Sequence, residues 1–107
     1  MNALDHARVG RLLLHRGQWQ GRRVLSDAWI ARSFAPGIHN ADYGLLWWLN
    51  RRSRIFGEAP ITGVCARGNA GRALLWIDPA RDLVVVSRWT DGVGALLDEL
   101  SVAIPED

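Results

Sequence analysis

The segment Arg67-Gly68-Asn69-Ala70-Gly71-Arg72 is a glycine-rich loop flanked by two arginines, and it opens onto the apolar run Ala73 to Ile77. Its Gly-x-x-Gly spacing matches the clamp with which some RNA-binding modules hold a nucleotide backbone. That clamp joins two helices, whereas this loop precedes a strand rich in leucine and tryptophan, so a nucleic-acid role is not expected. A plainer reading stands beside it, in which Gly68 and Gly71 serve a turn or bulge and the arginines are solvated. Other chemistry can be excluded by residue type. None of Ser26, Ser33, Ser53, Ser87 or Ser101 stands in the Gly-x-Ser-x-Gly setting of a nucleophile elbow. A phosphate loop requires a lysine, and all thirteen basic residues are arginine; "DGVGALL" lacks the third glycine of a dinucleotide fingerprint. His6, His15 and His39 are isolated imidazoles suited to surface or capping roles. Cys65 is the only cysteine, too few thiolates for a structural zinc site and none for an internal disulfide, and it reads as a small buried apolar residue. No cofactor or metal is expected.

These residues must be positioned by a chain of 107 residues, 49% hydrophobic and 22% charged, which is enough for one core. The net charge of +2, with arginines scattered singly or in pairs, describes a solvated surface rather than a nucleic-acid footprint. No apolar run has the length of a membrane span, and the N-terminal residues lack the cationic start and apolar core of a secretion signal, which points to a soluble, cytoplasmic chain. Asn2, with Asp5 three residues on, predicts a capped helix running to Arg16, with Gly17 at its end. Its leucines lie on more than one side, so this helix expects further protein around it. After the turn-rich "RGQWQGRR", Ser26 caps a short helix from Asp27 to about Phe34, with Leu25 and Ile30 as a hydrophobic staple. The run Tyr43 to Asn50 reads as a buried strand. Three more strands are expected over Ile61 to Ala66, Arg72 to Ile77 and Leu83 to Trp89, the last two joined by a tight "DPARD" hairpin. A closing helix presents Val93, Leu96, Leu97 and Leu100 to the sheet. The fold class is α+β: an antiparallel sheet of three to four strands, a C-terminal helix against it, and two N-terminal helices.

In this order, "LDHARVGRLLLHRGQWQGRRVLSDAWI", "YGLLWWLN" and "GNAGRALLWIDPARDLVVVSRW" together resemble the C-terminal part of the serine hydrolases related to class C β-lactamases, penicillin-binding proteins and their esterase-like cousins. The resemblance implies a partial β-lactamase-like fold. Residues 1–36 would be the end of a helical region, and 43–107 the sheet and last helix. In that family a third motif heads an active-site strand, as Lys-Thr-Gly or small-residue variants. Asn69-Ala70-Gly71 looks like this motif, in one of two registers a residue apart. The resemblance then gives the main-chain N–H of Arg72 as half of an oxyanion hole, and Asn69, Ala70 and Gly71 as substrate-contacting residues. Asn69 replaces a cationic or imidazole group, which favours an ester or amide substrate over a β-lactam. Trp48 is a candidate for the cleft wall, although it, Tyr43, Trp47, Trp76 and Trp89 equally suit the core of an aromatic sheet.

The family's nucleophile belongs to a Ser-x-x-Lys motif and a second proton-handling group to a Tyr-x-Asn motif, and neither is present. By resemblance the chain begins after both. The expectation is a fragment that is inactive alone, completed by an N-terminal chain or by a homo-oligomer, with no nucleic-acid or membrane partner. A non-catalytic remnant or small binding module is the alternative.

Overall fold

The computed structural model describes residues 1–57 and 59–106. The first helix, α1, spans Ala3–Leu14 and starts as its sequence dictates. The Asp5 N–H donates to Asn2 Oδ1 at 2.9 Å and the Asn2 N–H to Asp5 Oδ2 at 3.3 Å, a reciprocal capping box. Past its end Gly17 has φ +84°, and a Cβ there would sit 2.1 Å from the Leu25 carbonyl oxygen, so only glycine fits. The turn-rich segment that follows is a two-stranded ribbon, β1 (Gln18–Trp19) and β2 (Arg22–Arg23). Its loop residues Gln20 and Gly21 both have positive φ, as a hairpin with right-handed strand twist requires. The second helix, α2, spans Asp27–Ser33; the Trp29 N–H donates to Ser26 Oγ at 3.1 Å. Leu25 and Ile30 join the same apolar cluster, as the staple predicts.

The expected strand from Tyr43 to Asn50 is not one strand. Only β3, Trp48–Leu49, joins the sheet, with Tyr43 bridged back to Trp48 across a tight turn. The reason lies in Gly44 and Leu46. The Gly44 N–H donates to the Trp47 carbonyl, the Leu45 N–H to the Ser33 carbonyl at the end of α2, and Leu46 adopts φ +69°. A Cβ on Gly44 would lie 2.2 Å from that Ser33 oxygen, so this close seat against α2 depends on glycine. Leu46 is left 79% exposed, which alternation along a buried strand could not have anticipated.

The remaining strands form a meander: β4 (Val64–Gly68), β5 (Ala73–Asp78) and β6 (Leu83–Arg88), giving an antiparallel sheet in the order β3-β4-β5-β6. β4 begins three residues later and ends two later than expected. The Gly63 N–H is tied to the Pro60 carbonyl in a turn, and Ile61 is exposed. The last helix, α3, spans Val93–Ala103.

Strand alternation divides the core in two. On one face Cys65, Leu74 and Trp76 pack with Val93 and Leu97 of α3; on the other Leu49, Val64 and Ile77 pack with Leu13 and Ile30. Leu96, expected on the packed face of α3, is 40% exposed. α1 lies close against the second face because Gly10 has no side chain: a Cβ there would meet Val84 Cγ1 at 2.6 Å. The result is an α+β fold with a helix on each side of a four-stranded antiparallel sheet.

Candidate functional site

The glycine-rich loop is the turn between β4 and β5 rather than the head of a strand. Gly68 pairs with Ala73, and Asn69, Ala70 and Gly71 span the gap with φ of +50°, +56° and +84°. Three successive left-handed residues make a tight reversal, unusual for Ala70, which carries a Cβ. Arg72, expected to open the strand, is still in the turn at φ −82°, ψ −10°.

Its main-chain N–H, the donor named by the family resemblance, donates to the Asn69 carbonyl at 3.1 Å, and its carbonyl accepts from the Trp89 N–H at 2.7 Å. The Arg72 side chain turns to Asp91, Nε to Oδ1 3.3 Å. Asn69 through Arg72 are all solvent-exposed.

Trp48, Arg67, Gly68, Ala70 and Gly71 line one groove of about 380 Å³, so three of the sequence-predicted residues meet there. Trp48 holds its place by an edge-on contact with Tyr43, ring centroids 4.6 Å apart, and is half-buried. The guanidinium of Arg67 lies over the same ring, 4.6 Å from its centroid. Arg67 is the residue that reading the sequence left as solvated surface. Arg67 is exposed, as that reading has it, and the register explains its place over the ring: Trp48 pairs with Cys65, and Arg67, two residues further along β4, projects from the same face. Finding it from sequence required that pairing. A second groove, about 230 Å³, lies at the same end of the sheet between Ala66, Gly68, Ala73, His6 and Arg88. The hairpin tip therefore stands between two open depressions.

Cys65 is fully buried, and desolvation pushes its thiol up to about 12 against the opposing pull of Arg67, which makes it unfit as a nucleophile. His15 Nε2 lies 3.8 Å from Asp82 Oδ1 on the surface, a contact between residues far apart in sequence. Among the described residues no three His, Cys, Asp or Glu side chains converge as metal ligands, and no helix is long and apolar enough to cross a membrane.

No family model matches the chain. It is similar to the 6-aminohexanoate-dimer hydrolase of Paenarthrobacter ureafaciens, 32% identical over 104 residues that cover 83% of this chain and 24% of that protein. Among solved structures, a putative beta-lactamase from Bacteroides dorei superposes with a TM-score of 0.60 at 16% identity, covering 94% of this chain and 39% of that one. The chain thus spans about a quarter of the curated relative it matches. The structural match shows a β-lactamase-like α+β fold over most of the chain.

Proposed function

We propose that this β-lactamase-like chain supplies one wall of the cleft of a serine hydrolase acting on ester or amide bonds, and that it is inactive without the portion carrying the nucleophile. The observation that supports this reading is the exposed Asn69–Gly71 turn beside the Trp48 groove. A turn kept only for structure has no need of an aromatic and a cation arranged at its side. In this reading Asn69, Ala70 and Gly71 contact substrate, and Trp48 forms the cleft wall. The Arg72 N–H serves as an oxyanion donor once its bond to Asn69 opens or is shared. The 6-aminohexanoate-dimer hydrolase among its relatives favours the amide side of the substrate choice. The chain has no lysine with which to build a Ser-x-x-Lys site.

A fluorophosphonate probe therefore leaves the isolated chain unlabelled; stoichiometric labelling of any of its serines would refute the proposal. Complementation with an N-terminal portion bearing Ser-x-x-Lys and Tyr-x-Asn should restore hydrolysis. In that complex Gly71→Val should lower turnover more than tenfold. Its folding cost is only about 1–2 kcal/mol, from a left-handed backbone with open space around the new Cβ. Equal, small losses in both would return the turn to a structural role.

A further inference from the structure

Arg52 and Arg72 are each answered by a carboxylate, Asp42 at 2.8 Å and Asp91 at 3.3 Å. Arg67 is not: among the described residues no Asp or Glu forms an ion pair with it, and none of its N–H groups donates to a protein oxygen. What it has instead is a ring. Its guanidinium lies over Trp48, 4.6 Å from the centroid, and Trp48 is itself set edge-on against Tyr43. A stack of this kind uses the flat face of the guanidinium while its five N–H groups radiate in the plane, so the ring steadies the cation without consuming its donors. A planar fork held this way loses little further freedom when it grips a carboxylate through two parallel bonds. In a chain that spans about a quarter of its curated relative, the position of Arg67 counts for more than its exposure. It lines the groove shared by Trp48, Ala70 and Gly71, the residues that the hydrolase reading turns toward substrate. It also borders the second depression, with His6 and Arg88, and no Asp or Glu lines either one.

We infer that Arg67, seated on Trp48, selects substrates that carry a carboxylate a short way from the bond to be cleaved, gripping it through its in-plane N–H groups. This rests on the hydrolase reading, which makes the groove a cleft, and adds to it the charge of the substrate. Arg72, the other cation of the turn, is engaged by Asp91, so the charge that the groove offers is that of Arg67. A single cation with a two-pronged edge suits a carboxylate, whose two oxygens match the fork. A residue kept only to shield the Trp48 ring would serve as well without a charge, and that difference is measurable.

Two measurements separate the carboxylate site from the hydrolase reading. In the isolated chain, the Trp48 indole and Arg67 Nε signals followed by NMR should respond to butyrate, with the neutral isostere butyramide binding about threefold more weakly. Arg67→Gln should abolish the difference, and Arg67→Lys, which keeps the charge but not the fork, should fall between. Once an N-terminal portion restores hydrolysis, esters ending in a carboxylate on either the acyl or the alcohol side should show kcat/KM about tenfold above the matching carboxamides. Arg67→Gln should remove that preference, and Arg67→Glu should invert it toward esters ending in an ammonium group. An equal response to the two probes, no charge preference in either ester series, or a preference that survives Arg67→Gln would each overturn the inference, while hydrolysis itself would still uphold the hydrolase reading. Butyrate bound through Arg67 without hydrolysis of any ester would overturn the hydrolase reading and uphold the carboxylate site.

Discussion

Replacing Asn50 tests how the long segment between β3 and β4 is held. Asn50 is fully buried, and its side chain is the hub of residues 51–60, which contain no helix or strand among those described. Nδ2 donates to the carbonyls of Phe56, Ala59 and Pro60 at 3.0, 3.1 and 3.1 Å, and Oδ1 accepts from the Phe56 N–H at 3.0 Å. An amide has two N–H groups, so two of those carbonyls share one. Asn50→Ala therefore removes the equivalent of three hydrogen bonds at about 1 kcal/mol each, a loss of about 3 kcal/mol. For a domain this size that lowers Tm by roughly 12–20 °C. Asn50→Asp keeps the shape but points a carboxylate at three carbonyl oxygens. Burial and those dipoles raise the new carboxyl's pKa in the folded state above its unfolded value of about 3.9. The folded variant then binds the extra proton, so its stability is retained below about pH 4 and lost as pH rises through the folded pKa. Urea unfolding followed by tryptophan fluorescence should rank Asn50→Asp below Asn50→Ala at neutral pH, with the gap closing or reversing in acid. A loss under about 1 kcal/mol for the alanine variant, or a difference between the two variants that does not change with pH, would refute the reasoning.

Two further outcomes are expected. Cys65, buried and with its thiol raised to about 12, should resist a thiol reagent in the native chain and react at once in urea; native reactivity would mean that this face of the sheet opens readily. Arg52 grips Asp42 with Nε and Nη2 at 2.9 and 2.8 Å, and this hydrogen bonding holds the Asp42 carboxyl below its ordinary value. The pair's contribution is therefore present above the unfolded carboxylate pKa and fades as pH falls through the lower folded one. An NMR titration should show Asp42 moving back up in Arg52→Gln, and no movement would assign the shift to another cause.

The parts of the fold that were legible from sequence were those written in local code. Asn2 with Asp5, and Ser26 before Asp27, announce helix starts because a cap needs only its own turn. The short continuous apolar runs in "ALLWID" and "LVVVSR", bounded by turn residues, mark strands covered on both faces. What misled was an apolar run whose backbone is bonded elsewhere: "YGLLWW" bends because Leu45 and Gly44 meet the end of α2, a contact that alternation does not encode. The candidate site divides the same way. The turn at Asn69 is visible as a glycine-rich break, but Arg67 over Trp48 depends on the β3–β4 pairing, and the Arg72 N–H bond to Asn69 depends on a turn tighter than a strand start. Asn50, the most connected polar side chain of its loop, gave no signal at all, since its partners are main-chain carbonyls that any sequence would offer.

The two reversals of the meander are finished differently. At one end Asp78 is buried, accepts from the Ala80 N–H and from Arg81, and Arg81 reaches on to the carbonyls of Ser101 and Ile104, riveting that corner to α3. At the other end Asn69–Gly71 closes through its own backbone alone, with no side chain laid across it and nothing within 4 Å of where Gly71 would carry a Cβ. Change at the first corner would propagate into the interior, whereas the second can be rewritten, lengthened or exchanged at small penalty to the scaffold. Descendants of this sequence thus have a place to vary what they touch without relearning how to fold.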